Sequence, residues 1–154
     1  AATPTQLHHL LDQTAALCKR RASVFVISDF LSQTEDWKKS LARLSRRHDV
    51  LAVQIGDPAE RALLNVGMLV LQDAETGEQI LLDGNDVGFR QRFEEASAAR
   101  QADILQALSH AGSSHLPLMT NQALDTSLIQ FARRRKQQSQ TRAFVQAAAG
   151  TSHA

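Results

Sequence analysis

Asp29 ends the run Ser23-Val24-Phe25-Val26-Ile27-Ser28-Asp29-Phe30, and a carboxylate closing an apolar, β-branched stretch is a natural place to look for chemistry. Open α/β sheets place ligands outside the carboxyl ends of their strands, where the loops part to form a crevice. The same aspartate also reads as a plain cap for the turn that follows a strand. A second carboxylate pair stands in Gly56-Asp57-Pro58-Ala59-Glu60, spaced as a capping box with proline inside the first turn. Around a metal, Asp29 with Asp57 or Glu60 could serve a hydrolase.

Other residue types offer less. His8, His9, His48, His110, His115 and His153 are scattered and make no zinc spacing. There is no Gly-x-Ser-x-Gly elbow and no glycine fingerprint for a nucleotide, and a phosphatase-like use of Asp29 meets Leu31 where a second carboxylate would stand. Cys18 has no recognisable base beside it and reads as a small buried hydrophobe. Arg133-Arg134-Arg135-Lys136 suits a helix C-terminus, where cations meet the negative end of the dipole, as well as it suits phosphate.

Composition bounds what can position these groups. The chain has 154 residues, 43% hydrophobic and 21% charged, enough for one domain with a real core. A net charge of +1 gives no general pull toward nucleic acid or membrane. A single cysteine implies a reducing compartment, and no apolar stretch approaches the ~20 residues of a membrane span. The expectation is a soluble, cytoplasmic protein.

The elements follow from periodicity. Thr3-Pro4-Thr5-Gln6 reads as a helix start, and Leu7, Leu10, Leu11, Thr14 and Leu17 form a face that should pack on a sheet. Lys19-Arg20-Arg21 closes that helix, and residues 23–28 then read as a strand buried on both faces. Ser32 and Glu35 form a second capping-box pattern ahead of a helix carrying Trp37, Leu41 and Leu44, and Val50 to Ile55 form the next strand in a parallel crossover. A short helix from Asp57 reaches Leu64. Met68 to Gln72 and Gln79 to Asp83 make a hairpin with an exposed acidic turn, which should extend or flank the sheet near its edge. A long helix begins at Asp86 and ends at Gly112, a short strand spans Leu116 to Met119, and Thr120 and Asn121 can cap a final helix bearing Leu124, Leu128 and Phe131 on one face. The predicted division is 1–135 as a partial α/β domain and 136–154 as a polar tail, frayed or disordered beyond one helical stretch around Phe144.

Phe25-Val26-Ile27-Ser28-Asp29-Phe30-Leu31, Arg46-Arg47-His48-Asp49-Val50, Asp57-Pro58-Ala59-Glu60 and Asp73-Ala74-Glu75-Thr76-Gly77-Glu78, in that order, resemble the C-terminal half of bacterial domain-of-unknown-function family 58. That family is similar to von Willebrand factor type A domains. The resemblance implies a Rossmann-like, mostly parallel partial sheet with flanking helices plus a β-hairpin, and a Mg²⁺-dependent adhesion site at the strands' carboxyl ends. Asp29 matches the third-loop aspartate of that site, and Thr5 the second-loop threonine, with Thr3 the runner-up. The first-loop Asp-x-Ser-x-Ser has no counterpart, so the resemblance implies a chain that begins inside the domain and an incomplete site. Two oxygen ligands hold Mg²⁺ weakly. No cofactor is therefore expected on this chain alone, and Mg²⁺ only in a full-length protein. The implied function is a non-enzymatic protein interaction module working with a MoxR-type AAA+ ATPase, with the metal-dependent hydrolase as alternative. With no first strand to pair its edge, the Val24 to Ser28 strand is expected to drive homodimerisation.

Overall fold

The computed structural model describes residues 6–63, 67–72, 77 and 79–150, with the backbone alone for 69, 71, 80 and 138–150. Thr3, Pro4 and Thr5 lie outside the described residues. The chain is α/β. Helix α1 (Leu7–Leu17) leads into β1 (Ser23–Ser28), α2 (Thr34–Arg47) and β2 (Asp49–Gly56). The hairpin β3 (Met68–Gln72) and β4 (Gln79–Asp83) precedes α3 (Val87–His110) and β5 (Ser114–Met119). The main sheet has the order β1-β2-β5, parallel throughout. It is a three-stranded, open, Rossmann-like partial sheet with flanking helices.

Sheet order explains which face is filled. Both crossovers advance the same way across the sheet, and right-handed connections that do so lay their helices on one face. Trp37, Leu41 and Leu44 of α2 and Ile104, Ala107 and Leu108 of α3 accordingly share one core with Val26, Val50 and Ala52, completed by Leu11 and Phe30. Each such large apolar side chain contributes about 1.5–3 kcal/mol by leaving water.

The opposite face corrects one expectation. β1 is not buried on both faces: Val26 is buried, while Phe25 and Ile27 on the other face are 63% and 68% exposed. The apolar run reflects a strand with one covered face, because among the described residues neither crossover helix lies behind it. Leu51, Val53 and Leu116, farther into the sheet, are buried.

Several local expectations also change. α1 packs chiefly on α2 rather than flat on the sheet, so Leu11 is buried while Leu10 and Leu17 stay exposed. Gln6 sits at its cap without a side-chain hydrogen bond, and Lys19, Arg20 and Arg21 lie beyond its last turn. The Ser32–Glu35 box does not form; Gln33 is the cap of α2, and the Ser32 carbonyl instead accepts from Trp37 Nε1 at 3.4 Å. After β2 the helix shrinks to one 3₁₀ turn, Pro58–Glu60. Leu64 lies outside the described residues.

The hairpin pairs Met68 with Asp83 through Gln72 with Gln79, and Gly77 adopts a positive φ of 73°. It forms its own two-stranded sheet rather than extending the parallel one. Asp73 to Thr76 and Glu78 lie outside the described residues. Helix α3 starts as expected, with the Asp86 carboxylate accepting from Phe89 N at 3.0 Å, and Gly112 ends it at φ 71°.

A second compact unit begins at Asn121. Its helix α4 (Leu124–Gly150) runs on through the stretch whose composition predicts fraying after Lys136, with alanine and glutamine there favouring the helix. Leu124 and Leu128 remain exposed.

Candidate functional site

The carboxyl ends of β1, β2 and β5 carry Asp29, Asp57 and Thr120, on the side where parallel sheets bind ligands. After β1, the strand ends in a tight turn. Ser28 Oγ accepts from Phe30 N at 3.0 Å, and Asp29 Oδ1 accepts from Leu31 N at 3.1 Å. Phe30 takes a left-handed φ of 59°, unusual for a bulky residue, and its ring is fully buried edge-on against Trp37 at 5.2 Å between centroids. The backbone is bent so that the aromatic ring reaches the core. Asp29 itself stays exposed and serves as the turn's cap.

After β2, Asp57 Oδ1 accepts from Ala59 N at 2.8 Å, and Glu60 Oε2 accepts from Asp57 N at 3.4 Å, completing the capping box. Thr120 does not cap α4. Its hydroxyl donates to Asp57 Oδ2 at 2.6 Å and its N–H to the Gly56 carbonyl at 3.0 Å, tying β5 to β2. The Thr120 hydroxyl first, and the Ala59 N–H second, hold the Asp57 carboxyl below its ordinary value of 3.8.

These carboxylates do not assemble a metal centre. Among the described residues no three His, Cys, Asp or Glu side chains come together as ligands. Asp29 offers one oxygen beyond its turn bond, and Thr5 lies outside the described residues. Mg²⁺ requires near-octahedral oxygen coordination, so the described residues do not fit it. Asp57 and Glu60 are engaged with each other's backbone and with Thr120, the arrangement of a cap rather than of an acid–base pair.

Beside this rim lies an open cleft of about 520 Å³ between the end of β2 and the face of α3. Leu31, Phe93, Ile104 and Leu105 supply apolar walls, with Gln54, Glu60, Arg61, Ser97 and Gln101 as polar points. Ser97 Oγ donates to the Glu60 carbonyl at 2.8 Å and fixes the 3₁₀ turn against α3. At the inner end, Gln54 and Gln101 exchange amide hydrogen bonds of 3.0 and 3.1 Å, and His115 Nε2 lies 3.1 Å from Gln54 Oε1. Sequence reasoning did not assign Gln54, Gln101 or Thr120 to a site. Gln54 carried a visible signal, because it shares strand parity with Val50 and Ala52 on the covered face.

Burial pulls the His115 pKa below its ordinary value of 6.5. A base whose folded pKa is depressed adds stability above the unfolded value and loses it as pH falls through the folded one. The intact chain should therefore lose stability below pH 6.5 relative to a His115→Gln variant, with a pH-dependent gap. Urea midpoints from pH 7.5 down to about 5 check this; profiles that run parallel would contradict it.

Among the described residues no helix is long and apolar enough to cross a membrane. Residues 1–103 match the family model described as "Protein of unknown function DUF58". An uncharacterized protein of Mycobacterium avium is 33% identical over 120 residues, covering 77% of this chain and 69% of that protein. An uncharacterized protein of Mycobacterium tuberculosis is 34% identical over 118 residues, covering 77% of this chain, which spans only 37% of the relative's length. No solved structure shows a significant match. With the family model covering two thirds of its length, the chain belongs to the DUF58 family.

Proposed function

We propose that this chain is a non-enzymatic protein–protein interaction module of the cytoplasm, acting with a MoxR-type AAA+ ATPase in the assembly or activation of other proteins. The observation that carries the module reading is the cleft. It is open and walled mainly by apolar side chains, with Arg61, Glu94 and Arg100 as charged points and the Glu60 carboxylate already committed to capping, which suits seating a partner's side chains better than turning over a substrate. The choice of ATPase rests on the family resemblance alone.

Leu105 tests it. It is 42% exposed and lines the cleft, so Leu105→Asp should leave the fold intact while placing an unpaired charge in the contact. Titration calorimetry with a purified MoxR-type ATPase should show binding weakened about tenfold or more, as loss of a central apolar contact does. Equal affinity for both forms would exclude the cleft as the contact. No binding to the unaltered chain would exclude the partner.

A further inference from the structure

We infer that the cleft takes an acidic, apolar segment of its partner, with a carboxylate held by Arg61 and Arg100 and an aliphatic neighbour seated against Leu31, Phe93 and Leu105. This rests on the reading of the cleft as a partner seat and adds the chemistry that fills it. The walls come from four places: the turn after β1, the end of β2, the 3₁₀ turn and α3.

Unmatched charge identifies the occupant. α3 carries three arginines, and two of them are engaged: Arg90 donates to the Gly84 carbonyl, and Arg92 lies over the Phe89 ring at 6.0 Å. Arg100, which lines the cleft, has no ion pair, hydrogen bond or ring contact among the described residues. The Arg61 side chain has none there either, although a glutamate precedes it in sequence. Glu60 is turned away, its Oε2 accepting from Asp57 N at 3.4 Å to close the capping box.

Ser97 brings the two cations to one part of the cleft. Its hydroxyl ties the Glu60 carbonyl to α3 at 2.8 Å, Arg61 is the next residue, and Arg100 stands one turn beyond Ser97 on the same helix face. Arg61 leans over the end of β2, with Nη2 4.0 Å from where a β-carbon on Gly56 would stand. Glu94 also lines the cleft without a partner among the described residues, one turn before Ser97 and about 9 Å along the axis from Arg100. Two guanidiniums thus face one uncommitted carboxylate, leaving a surplus cation beside an apolar wall. A guanidinium fork matches a carboxylate in shape as well as charge, and its weak hydration suits a contact partly withdrawn from water.

The test titrates the isotope-labelled chain with three capped pentapeptides, Ser-Leu-Glu-Leu-Ser, Ser-Leu-Gln-Leu-Ser and Ser-Leu-Lys-Leu-Ser, and follows the amides of Arg61, Ser97, Arg100 and Leu105. The acidic peptide should bind tightest, about fivefold tighter than its glutamine twin, the upper range for partly exposed charge pairs. Arg61→Gln and Arg100→Gln should each narrow that preference and together abolish it, while Glu94→Gln should widen it by removing a like charge. Leu105→Ala should weaken the acidic and glutamine peptides alike. The preference should persist in EDTA, since arginines and not a metal hold the carboxylate, and shrink at about 0.5 M salt. Equal affinity for the acidic and glutamine peptides overturns the proposal, as does tightest binding by the lysine peptide. A preference that needs Mg²⁺ or survives loss of both arginines overturns it too, and so does a cleft unperturbed by any peptide at about 10 mM, beyond the range of a weak contact. None of these results touches the reading of the cleft as a partner seat, which the effect of Leu105→Asp on ATPase binding decides separately.

Discussion

Truncating Phe30 to alanine should destabilise the chain by about 3–5 kcal/mol, the range for deleting a fully buried aromatic ring. The ring is inaccessible and packs against Trp37 in the cluster that joins β1 to α2. The revealing comparison is with glycine. At ordinary positions glycine is worse than alanine by about 0.5–1 kcal/mol because it loses more freedom on folding. Phe30 has φ 59°, where an L-residue carries a cost of roughly 1–2 kcal/mol that glycine does not. Phe30→Gly should therefore equal Phe30→Ala in stability or exceed it by up to about 1.5 kcal/mol. Urea unfolding of the pair decides the matter, and a glycine variant clearly less stable than the alanine one would mean that the turn is not left-handed in solution.

The second large effect concerns the amides at the inner end of the cleft. Gln54 is buried within β2 and satisfies both Gln101 and His115. Gln54→Leu keeps the volume but leaves two polar partners short, at about 1–3 kcal/mol for each buried unpaired group and less where it is partly exposed, so a loss of roughly 2–4 kcal/mol is expected. Removing both amides together, as Gln54→Leu with Gln101→Leu, should recover at least half of that loss, because apolar replacement of both partners is close to neutral. Additive losses in a double-mutant cycle would show that the amides do not depend on each other.

What was legible in the sequence is what local chemistry decides. Continuous apolar runs marked β1 and β2, the Asp57–Glu60 spacing marked its capping box, and Gly77 and Gly112 marked positions where φ turns positive. What was not legible depends on contacts between distant segments. The exposure of Phe25 and Ile27 follows from the direction of two crossovers, which no single stretch records. Thr120 looked like a helix cap, and its tie to Asp57 arises only because β5 lies beside β2. The Ser32–Glu35 pattern was present and unused, since the cap falls one residue later, at Gln33, and the helix opens at Thr34. For Asp29, the cap is what its hydrogen bonds describe.

The reading as an interaction module stands or falls on whether a partner occupies the cleft. Titrating the isotope-labelled chain with a purified MoxR-type ATPase and following backbone amide resonances measures this directly. The account predicts that Leu31, Arg61, Ser97, Gln101 and Leu105 shift or broaden together, while the amides of α1 at the far side of α2 do not. Perturbations confined to α1 or to the β3–β4 hairpin, with the cleft unchanged, would contradict it.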